Sequence, residues 1–172
     1  MTKTATTALN NHLITSSIDV TMRVNEPLGI RVCSNILNSY LAEDSEFEIT
    51  EIGYIIGVEK VLGDGSNLNM DEVNNGQALT EVSYDETKNV IYNVDKTNTT
   101  YSCVFYGMPN TKAAYTENIF LRTYAVIGGE YKVYGNVMEV VAYEAAKELI
   151  KTVTVGTDAY NYLNNIITVS EN

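Results

Sequence analysis

The segment 119–133, IFLRTYAVIGGEYKV, decides the fold class of this chain. From Ile119 onward its residues fall into two alternating sets, which is the side-chain period of a β-strand. A glycine pair follows at Gly128-Gly129, and glycine permits the backbone angles of a tight hairpin turn. Tyr131 and Val133 then resume the alternation. The segment therefore predicts two neighbouring antiparallel strands.

The same alternation recurs in shorter runs on the N-terminal side of this hairpin. The runs are bounded by turn signals such as Pro27, Asn75-Gly76 and Pro109. Gly53 and Gly57 share one face of the third run, which leaves room for a close neighbour there. Seven or eight such strands predict an all-β antiparallel sandwich over residues 18–142. The predicted strands cover residues 18–24, 28–33, 49–58, 79–84, 90–94, 101–106, 119–126 and 131–141.

The C-terminal part of the chain departs from the strand pattern. Residues 143–150 are strong helix formers without Gly or Pro. After Gly156, Asp158 is placed to cap a second short helix. We therefore expect residues 143–172 to form a short helical appendage that packs on the sandwich.

The N-terminal residues 1–17 are polar and rich in Thr, and they show no periodicity. This pattern is typical of an arm, and we expect the arm to contact a partner subunit. His12, the only histidine of the chain, is interpreted as a solvated or interface residue of this arm. The arm residues expected to contact a partner are Thr2, Lys3, Thr4, Thr6, Thr7, Leu9 and His12.

The charge of the chain restricts its partners. There are 22 acidic and 11 basic residues, which gives a formal charge of −11, and the basic residues are scattered. Nucleic acid and anionic membrane surfaces are therefore not expected as partners, because Lys and Arg drive binding to both. No stretch approaches the ~20 apolar residues of a membrane span.

The start of the chain bears on where the protein is expected. Residues 1–11 lack the charged beginning and the apolar run of a secretory signal. We therefore expect a protein that is made and used without export, or one whose signal was removed before residue 1.

Side chains suited to catalysis or metal binding occur only in patterns that a polar loop also explains. One histidine supplies neither a multi-histidine zinc site nor a histidine-based triad. Glycoside hydrolysis needs two carboxylates at a defined separation that flank the substrate, and one acidic loop such as segment 43–48, with Glu43, Asp44, Glu46 and Glu48, rarely supplies them. Residues 64–72 offer oxygen ligands for calcium but do not match an EF-hand loop. We therefore predict no enzymatic activity, no cofactor and no metal site.

Tyrosine is the abundant aromatic residue, with 13 copies beside no tryptophan. Most are expected to complete the rims of the core, but tyrosine is also favoured at interfaces. Tyr131 and Tyr134 fall on opposite faces of one predicted strand, so they are candidates for an exposed aromatic surface. Tyrosine platforms are also typical of carbohydrate-binding modules, so a glycan remains a possible ligand.

A series of short motifs occurs in a characteristic order over residues 18–167. The motifs are Gly29–Val32, Glu51–Ile56, Phe105–Pro109, Arg122–Val126, Val133–Gly135 and the closing helix Ala145–Leu149. In this order they resemble the immunoglobulin-like modules of Gram-positive bacterial surface proteins and of some tailed-phage structural proteins. The resemblance implies an immunoglobulin-like sandwich that serves as a spacer, an adhesion unit or a decoration, and it transfers no catalytic residue.

Cys33 and Cys103 are the two cysteines. Immunoglobulin-like domains can join their two sheets through a disulfide between cysteines of this separation. Two buried thiols are the alternative, and it is preferred because the chain shows no export signal.

These observations lead to an expected function. We expect a non-enzymatic structural or decoration protein of a larger assembly, specifically of a phage virion, as a capsid decoration, head fibre or tail component. Its partners would be other copies of the chain or a capsid or tail protein, held by the N-terminal arm. The alternative is a cell-surface adhesion or glycan-binding module of a Gram-positive bacterium.

Overall fold

Eight β-strands among the described residues form the body of the protein. The computed structural model describes residues 14–43, 45, 48–85 and 87–172, with the backbone alone for 14–19 and 67. All strand pairs are antiparallel, so the predicted antiparallel β-sandwich is confirmed. The strands are β1 (Ile14–Arg23), β2 (Gly29–Leu37), β3 (Ile49–Val58), β4 (Ala78–Tyr84), β5 (Ile91–Val94), β6 (Asn98–Tyr106), β7 (Ile119–Ile127) and β8 (Tyr131–Val140).

The strands are divided between two four-stranded sheets. Sheet A has the order β1-β2-β6-β5, and sheet B has the order β4-β3-β7-β8. Alternate side chains of each strand point to opposite faces of its sheet. In sheet A, Ile30, Val32 and Ile36 of β2 are buried on the inner face. In sheet B, Ile52 and Tyr54 of β3 are buried against them.

The outer face of sheet B is covered by the long connection between β3 and β4, residues 59–77. We call this connection the insert. Leu68 is its buried anchor and packs with Phe120 and Tyr124 of β7. The sequence predicted a polar loop here, but the insert contains α2 (Glu59–Leu62), a 3-10 turn (Gly65–Asn67) and α3 (Met70–Asn74).

Two glycines of β3 allow this close packing, as the sequence predicted. A Cβ atom on Gly53 would lie 2.6 Å from the ring of Tyr124, and one on Gly57 would overlap the side chain of Leu62. Since real Cβ contacts are longer than 3.0 Å, any larger residue at Gly53 would have to displace the tyrosine ring. Glycine at these two positions therefore allows the side chains of Tyr124 and Leu62 to lie close to β3 on the outer face of sheet B.

Helices close one end of the sandwich, which we call the helix end. Leu163 and Ile166 of the last helix are fully buried in one cluster with Met22 of sheet A and Leu121 of sheet B. The helices and both sheets therefore share a core. The helices at this end are α4 (Lys112–Thr116), α5 (Ala142–Leu149), a 3-10 turn (Ile150–Thr152) and α6 (Asp158–Glu171).

The opposite end carries the short connections between strands, and we call it the loop end. Here the connection from β2 to β3, which begins with α1 (Asn38–Leu41), meets the β5–β6 and β7–β8 turns. The backbone N–H of Asn38 donates to the carbonyl of Thr97, and that of Gly128 donates to the carbonyl of Glu48, both at 2.8 Å. Strand β1 begins at this end, four residues before the strand predicted from Ile18.

Candidate functional site

A cleft at the loop end offers a binding surface. It has a volume of about 420 Å³, which is within the range of small-ligand sites. It combines two tyrosines with two carboxylates over an apolar base. Its lining residues are Tyr40, Leu41, Ala42, Glu43, Ser45, Glu48, Ile49 and Tyr84.

The two tyrosines of this cleft are positioned by the core. Tyr40 and Tyr84 both pack against the buried cluster that contains Ile36 and Ile52. The ring of Tyr84 also meets that of Tyr101 in a tilted arrangement, with 5.8 Å between ring centroids. Because the rings are partly buried, their faces are held in place, and such rings suit the stacking of a flat ligand.

Other carboxylates at the loop end have local structural tasks. Asp95 Oδ1 accepts hydrogen bonds from the backbone N–H groups of Thr97 and Asn98, each at 2.7 Å. The bonds from Asn98 and Thr97 hold the pKa of the Asp95 carboxyl below its ordinary value. In the same way, Asp85 Oδ1 accepts hydrogen bonds from the backbone N–H groups of Thr87 and Lys88. These two carboxylates therefore stabilise turns.

The second binding surface is the side of the sandwich formed by the edges of β5 and β4. Every residue of β5 is exposed, including Ile91 at 46%, Tyr92 at 54% and Val94 at 58%. Leu79 of β4 is 70% exposed on the same side. An edge strand with exposed apolar side chains offers unpaired backbone groups and apolar surface together, which favours pairing with another strand.

The two tyrosines predicted to form an exposed surface are both half-buried. Tyr134 lies under the insert, where its hydroxyl accepts a hydrogen bond from the N–H of Met70 at 3.4 Å. The guanidinium of Arg122 lies 4.9 Å from its ring centroid, and burial raises the pKa of its hydroxyl. Tyr131 packs against the cluster around Ile52 on the opposite face of the sheet. Strand alternation gave the faces correctly, but the exposed tyrosines are Tyr92 and Tyr106.

Several residues singled out in the sequence lie outside the described residues. These include the whole set expected to contact a partner, namely Thr2, Lys3, Thr4, Thr6, Thr7, Leu9 and His12. Of the acidic segment, Glu43 and Glu48 are described, whereas Asp44 and Glu46 are not. The arm therefore stays a prediction.

The cysteines are not joined by a disulfide. Cys33 lies opposite Ser102, and Cys103 lies opposite Val32, so the two side chains point to opposite faces of sheet A. Both are buried, and burial raises the pKa of the Cys103 thiol well above its ordinary value. A buried thiol with a raised pKa stays protonated and is a poor nucleophile.

The oxygen atoms considered as calcium ligands are engaged in capping the insert. Both carboxylate oxygens of Asp64 accept hydrogen bonds from Ser66, at 2.9 and 3.0 Å. Asn69 and Glu72 form a reciprocal capping box at the start of α3. These contacts stabilise the turns of the insert and explain why its sequence is polar.

Three further findings concern the chain as a whole. No helix among the described residues is long and apolar enough to cross a membrane. No three His, Cys, Asp or Glu side chains of described residues lie together in a group able to hold a metal ion. No family model, curated protein or solved structure matches this chain.

Proposed function

We propose that this chain is a non-enzymatic, immunoglobulin-like structural module of a larger protein assembly. Immunoglobulin domains have strands A, B, E and D in one sheet and C, F and G in the other, often with C′ beside C. With β1 to β8 taken as A, B, C, C′, D, E, F and G, the orders of sheets A and B follow this scheme. Tyr54 of β3 occupies the core on strand C, where antibody domains have a buried tryptophan.

The observation that carries the assembly role is the exposed edge at β5. Soluble monomers usually protect sheet edges with charges, proline or a covering element. The sequence of β5, IYNV, contains neither a charge nor a proline. An edge of this kind is stable in solution when another polypeptide adds a strand to it, which is a common mode of protein recognition.

The proposed location is the phage virion, as a capsid decoration, head fibre or tail component. The resemblance to phage structural modules supports it, and so does the formal charge of −11, which keeps crowded copies soluble. In this proposal the arm residues from Thr2 to His12 contact the neighbouring capsid or tail subunit.

Fractionation of native particles tests the assembly role. Particles purified on a density gradient from cells that produce the chain should contain it in a fixed ratio to the other subunits, measured by quantitative mass spectrometry. Antibodies against α6 should label the same particles in electron micrographs. A chain recovered only in low-mass fractions would contradict the proposal.

A glycan-binding module on a bacterial surface is the second candidate, and the cleft at the loop end favours it. Tyr40 and Tyr84 offer ring faces, and Glu43 and Glu48 offer acceptors for sugar hydroxyl groups. A glycan array with the wild-type protein should then show a hit that Glu48→Gln weakens. Tyr106→Ala, which changes an exposed tyrosine outside the cleft, is the control. An array without hits removes this candidate.

A further inference from the structure

The open edge of sheet A has the shape of a step. Strand β6 pairs with β2 over its whole length, from Asn98 to Tyr106. On its other side, β5 pairs with it only at Thr99–Tyr101. One hydrogen bond, from the N–H of Ser102 to the carbonyl of Val90 at 3.3 Å, marks the end of the contact. The loop-end half of this edge therefore protrudes by one strand relative to the helix-end half.

The recessed half consists of Cys103–Tyr106, and we call it the recess. Within the described part of the chain, no strand pairs with the outer side of the recess. The recess is four residues long, and β5 is also four residues long. The protrusion and the recess of one edge therefore match each other in length.

Both parts of the step carry apolar side chains. Residues directly opposite in an antiparallel pair share a face, so Ile91, which lies opposite the buried Tyr101, faces the inner side of sheet A. Val94 lies opposite the buried Thr99 and faces the same way.

Phe105 of the recess also faces inward, because it lies opposite the buried Ile30. Across the sandwich, the exposed Leu79 lies opposite Ile56, which packs on the same core cluster as Phe105. On the face that Ile91 and Val94 would approach, the recess is therefore bordered by the apolar side chains of Phe105 and Leu79, with the ion pair between Glu81 and Lys88 beside them.

We propose that a second copy of this chain fills the recess with its own β5. A two-fold rotation perpendicular to sheet A, centred between β5 and the recess, brings each β5 beside the recess of the other copy. Each β5 then runs antiparallel to its own β6 and parallel to the partner copy's β6. Such an interface is isologous, so both recesses are filled at once and the assembly closes as a dimer.

Some interactions favour this pairing and one opposes it. The added strand satisfies edge backbone groups and removes Ile91, Val94 and Leu79 from water. Two copies with a formal charge of −11 each repel one another. Because salt screens repulsion between exposed charges, dimerisation should become tighter as the salt concentration rises.

This inference rests on the proposed assembly role, and sedimentation of the purified full chain tests it separately. Sedimentation velocity from micromolar to millimolar concentration should show a monomer–dimer equilibrium. The double variant Ile91→Lys/Val94→Lys and the β4 variant Leu79→Lys should each weaken dimerisation by at least about tenfold, because lysine would be buried at the joint. All three residues are exposed in the monomer, so the variants should keep the wild-type circular dichroism spectrum.

Val155→Lys is the matched control, because Val155 is also an exposed valine but belongs neither to β4, nor to β5, nor to the recess. It should leave dimerisation unchanged. A wild-type protein that stays monomeric throughout, or edge variants that dimerise as well as the control, would overturn the inference. A monomer that still co-purifies with particles overturns only the pairing between copies and leaves the assembly role in place.

Engineered cysteines distinguish this geometry from simple edge-to-edge pairing. Val104 and Tyr92 both face the outer side of sheet A, where Tyr92 meets Arg31 and Val104 lies opposite Arg31. The step places Tyr92 of one copy near Val104 of the other. Tyr92→Cys/Val104→Cys should therefore form a disulfide-linked dimer under mild oxidation. A dimer formed equally well by Tyr92→Cys alone would mean that the two β5 strands face each other, which contradicts the step geometry.

Discussion

The hydroxyl of Tyr54 connects the two sheets through the middle of the core. It donates to the carbonyl of Tyr101 at 2.7 Å. Its single proton is used in that bond, so the hydroxyl of Ser34, at 2.8 Å, donates to the Tyr54 oxygen. Burial raises the pKa of Tyr54 well above its ordinary value, so the hydroxyl keeps its proton. Tyr54 belongs to sheet B and both partners to sheet A, so these two bonds fix the position of one sheet on the other.

Tyr54→Phe should destabilise the protein without changing its fold. The substitution removes two buried hydrogen bonds and leaves the Ser34 hydroxyl without its acceptor on Tyr54, which costs about 1–3 kcal/mol of unfolding free energy. Urea denaturation followed by circular dichroism measures the loss. Tyr106→Phe is the control, because Tyr106 is exposed and should show no comparable change. Equal stabilities for the two variants would contradict the role given to Tyr54.

The sequence predicted on which face of a sheet a residue lies better than it predicted how exposed its side chain is. Alternation placed Tyr131 and Tyr134 on opposite faces, and this is correct. The alternation of a strand does not indicate which segment covers each face of its sheet. The insert that covers Tyr134 was predicted to be a polar loop. The cleft at the loop end was also not predicted, because Tyr40 and Tyr84 are brought together only by the packing of distant segments.

At the scale of elements, the insert is attached to the outer face of sheet B by apolar packing and by hydrogen bonds. Arg122 of β7 donates from Nη1 to the carbonyl of Leu68 at 2.9 Å and from Nε to the carbonyl of Gly135 at 2.6 Å. Leu68 belongs to the insert, and its side chain is buried between the insert and sheet B. The insert therefore depends on sheet B for its position, whereas the core between the sheets does not include it.

Leu68→Ala should loosen the insert and leave the sandwich intact. Removing a buried leucine side chain costs about 2–5 kcal/mol where the surroundings cannot collapse. Hydrogen–deuterium exchange should accelerate across residues 63–76 and stay unchanged in β2 and β6. Val61→Ala, at an exposed site of the same insert, is the control and should alter neither region. Faster exchange spread evenly over all strands would refute this picture.

The strands among the described residues were predictable because most of them have a two-residue period and a turn signal beside them. Strand β5 is the exception, because an irregularity of register between Ile91 and Asn93 interrupts its alternation. The short helices α2, α3 and α4 were not predictable in the same way. Each has only four or five residues, which is too short to show a helical period. Their starts depend on caps such as Asn69 and Thr111, and these polar residues also occur in ordinary loops.

At the scale of the whole molecule, the C-terminal helices complete the core. Ala142, Ala146, Leu163 and Ile166 have no exposed surface and pack in the cluster that also holds Ile30 of sheet A. Without α5 and α6, the apolar residues at the helix end of both sheets would face water. The sheets and these helices are therefore expected to unfold together.

Leu163→Ala should lower the unfolding free energy of the entire chain by about 2–5 kcal/mol, as expected for a cavity in a shared core. Unfolding curves from far-ultraviolet circular dichroism and from tyrosine fluorescence should still coincide. Asn164→Ala, at the exposed neighbouring position, is the control. An early transition that melts the helices and leaves the sheets folded would show that the core is divided.

The strand directions determine how the module would carry mechanical load. Strand β1 starts at the loop end, and β8 finishes at the helix end. Tension applied between these two points acts along the strands. The ladder between β1 and β2 lies across that direction, so its hydrogen bonds would be sheared together instead of being unzipped one at a time. A module built this way can resist a stretching force that is applied along its strands.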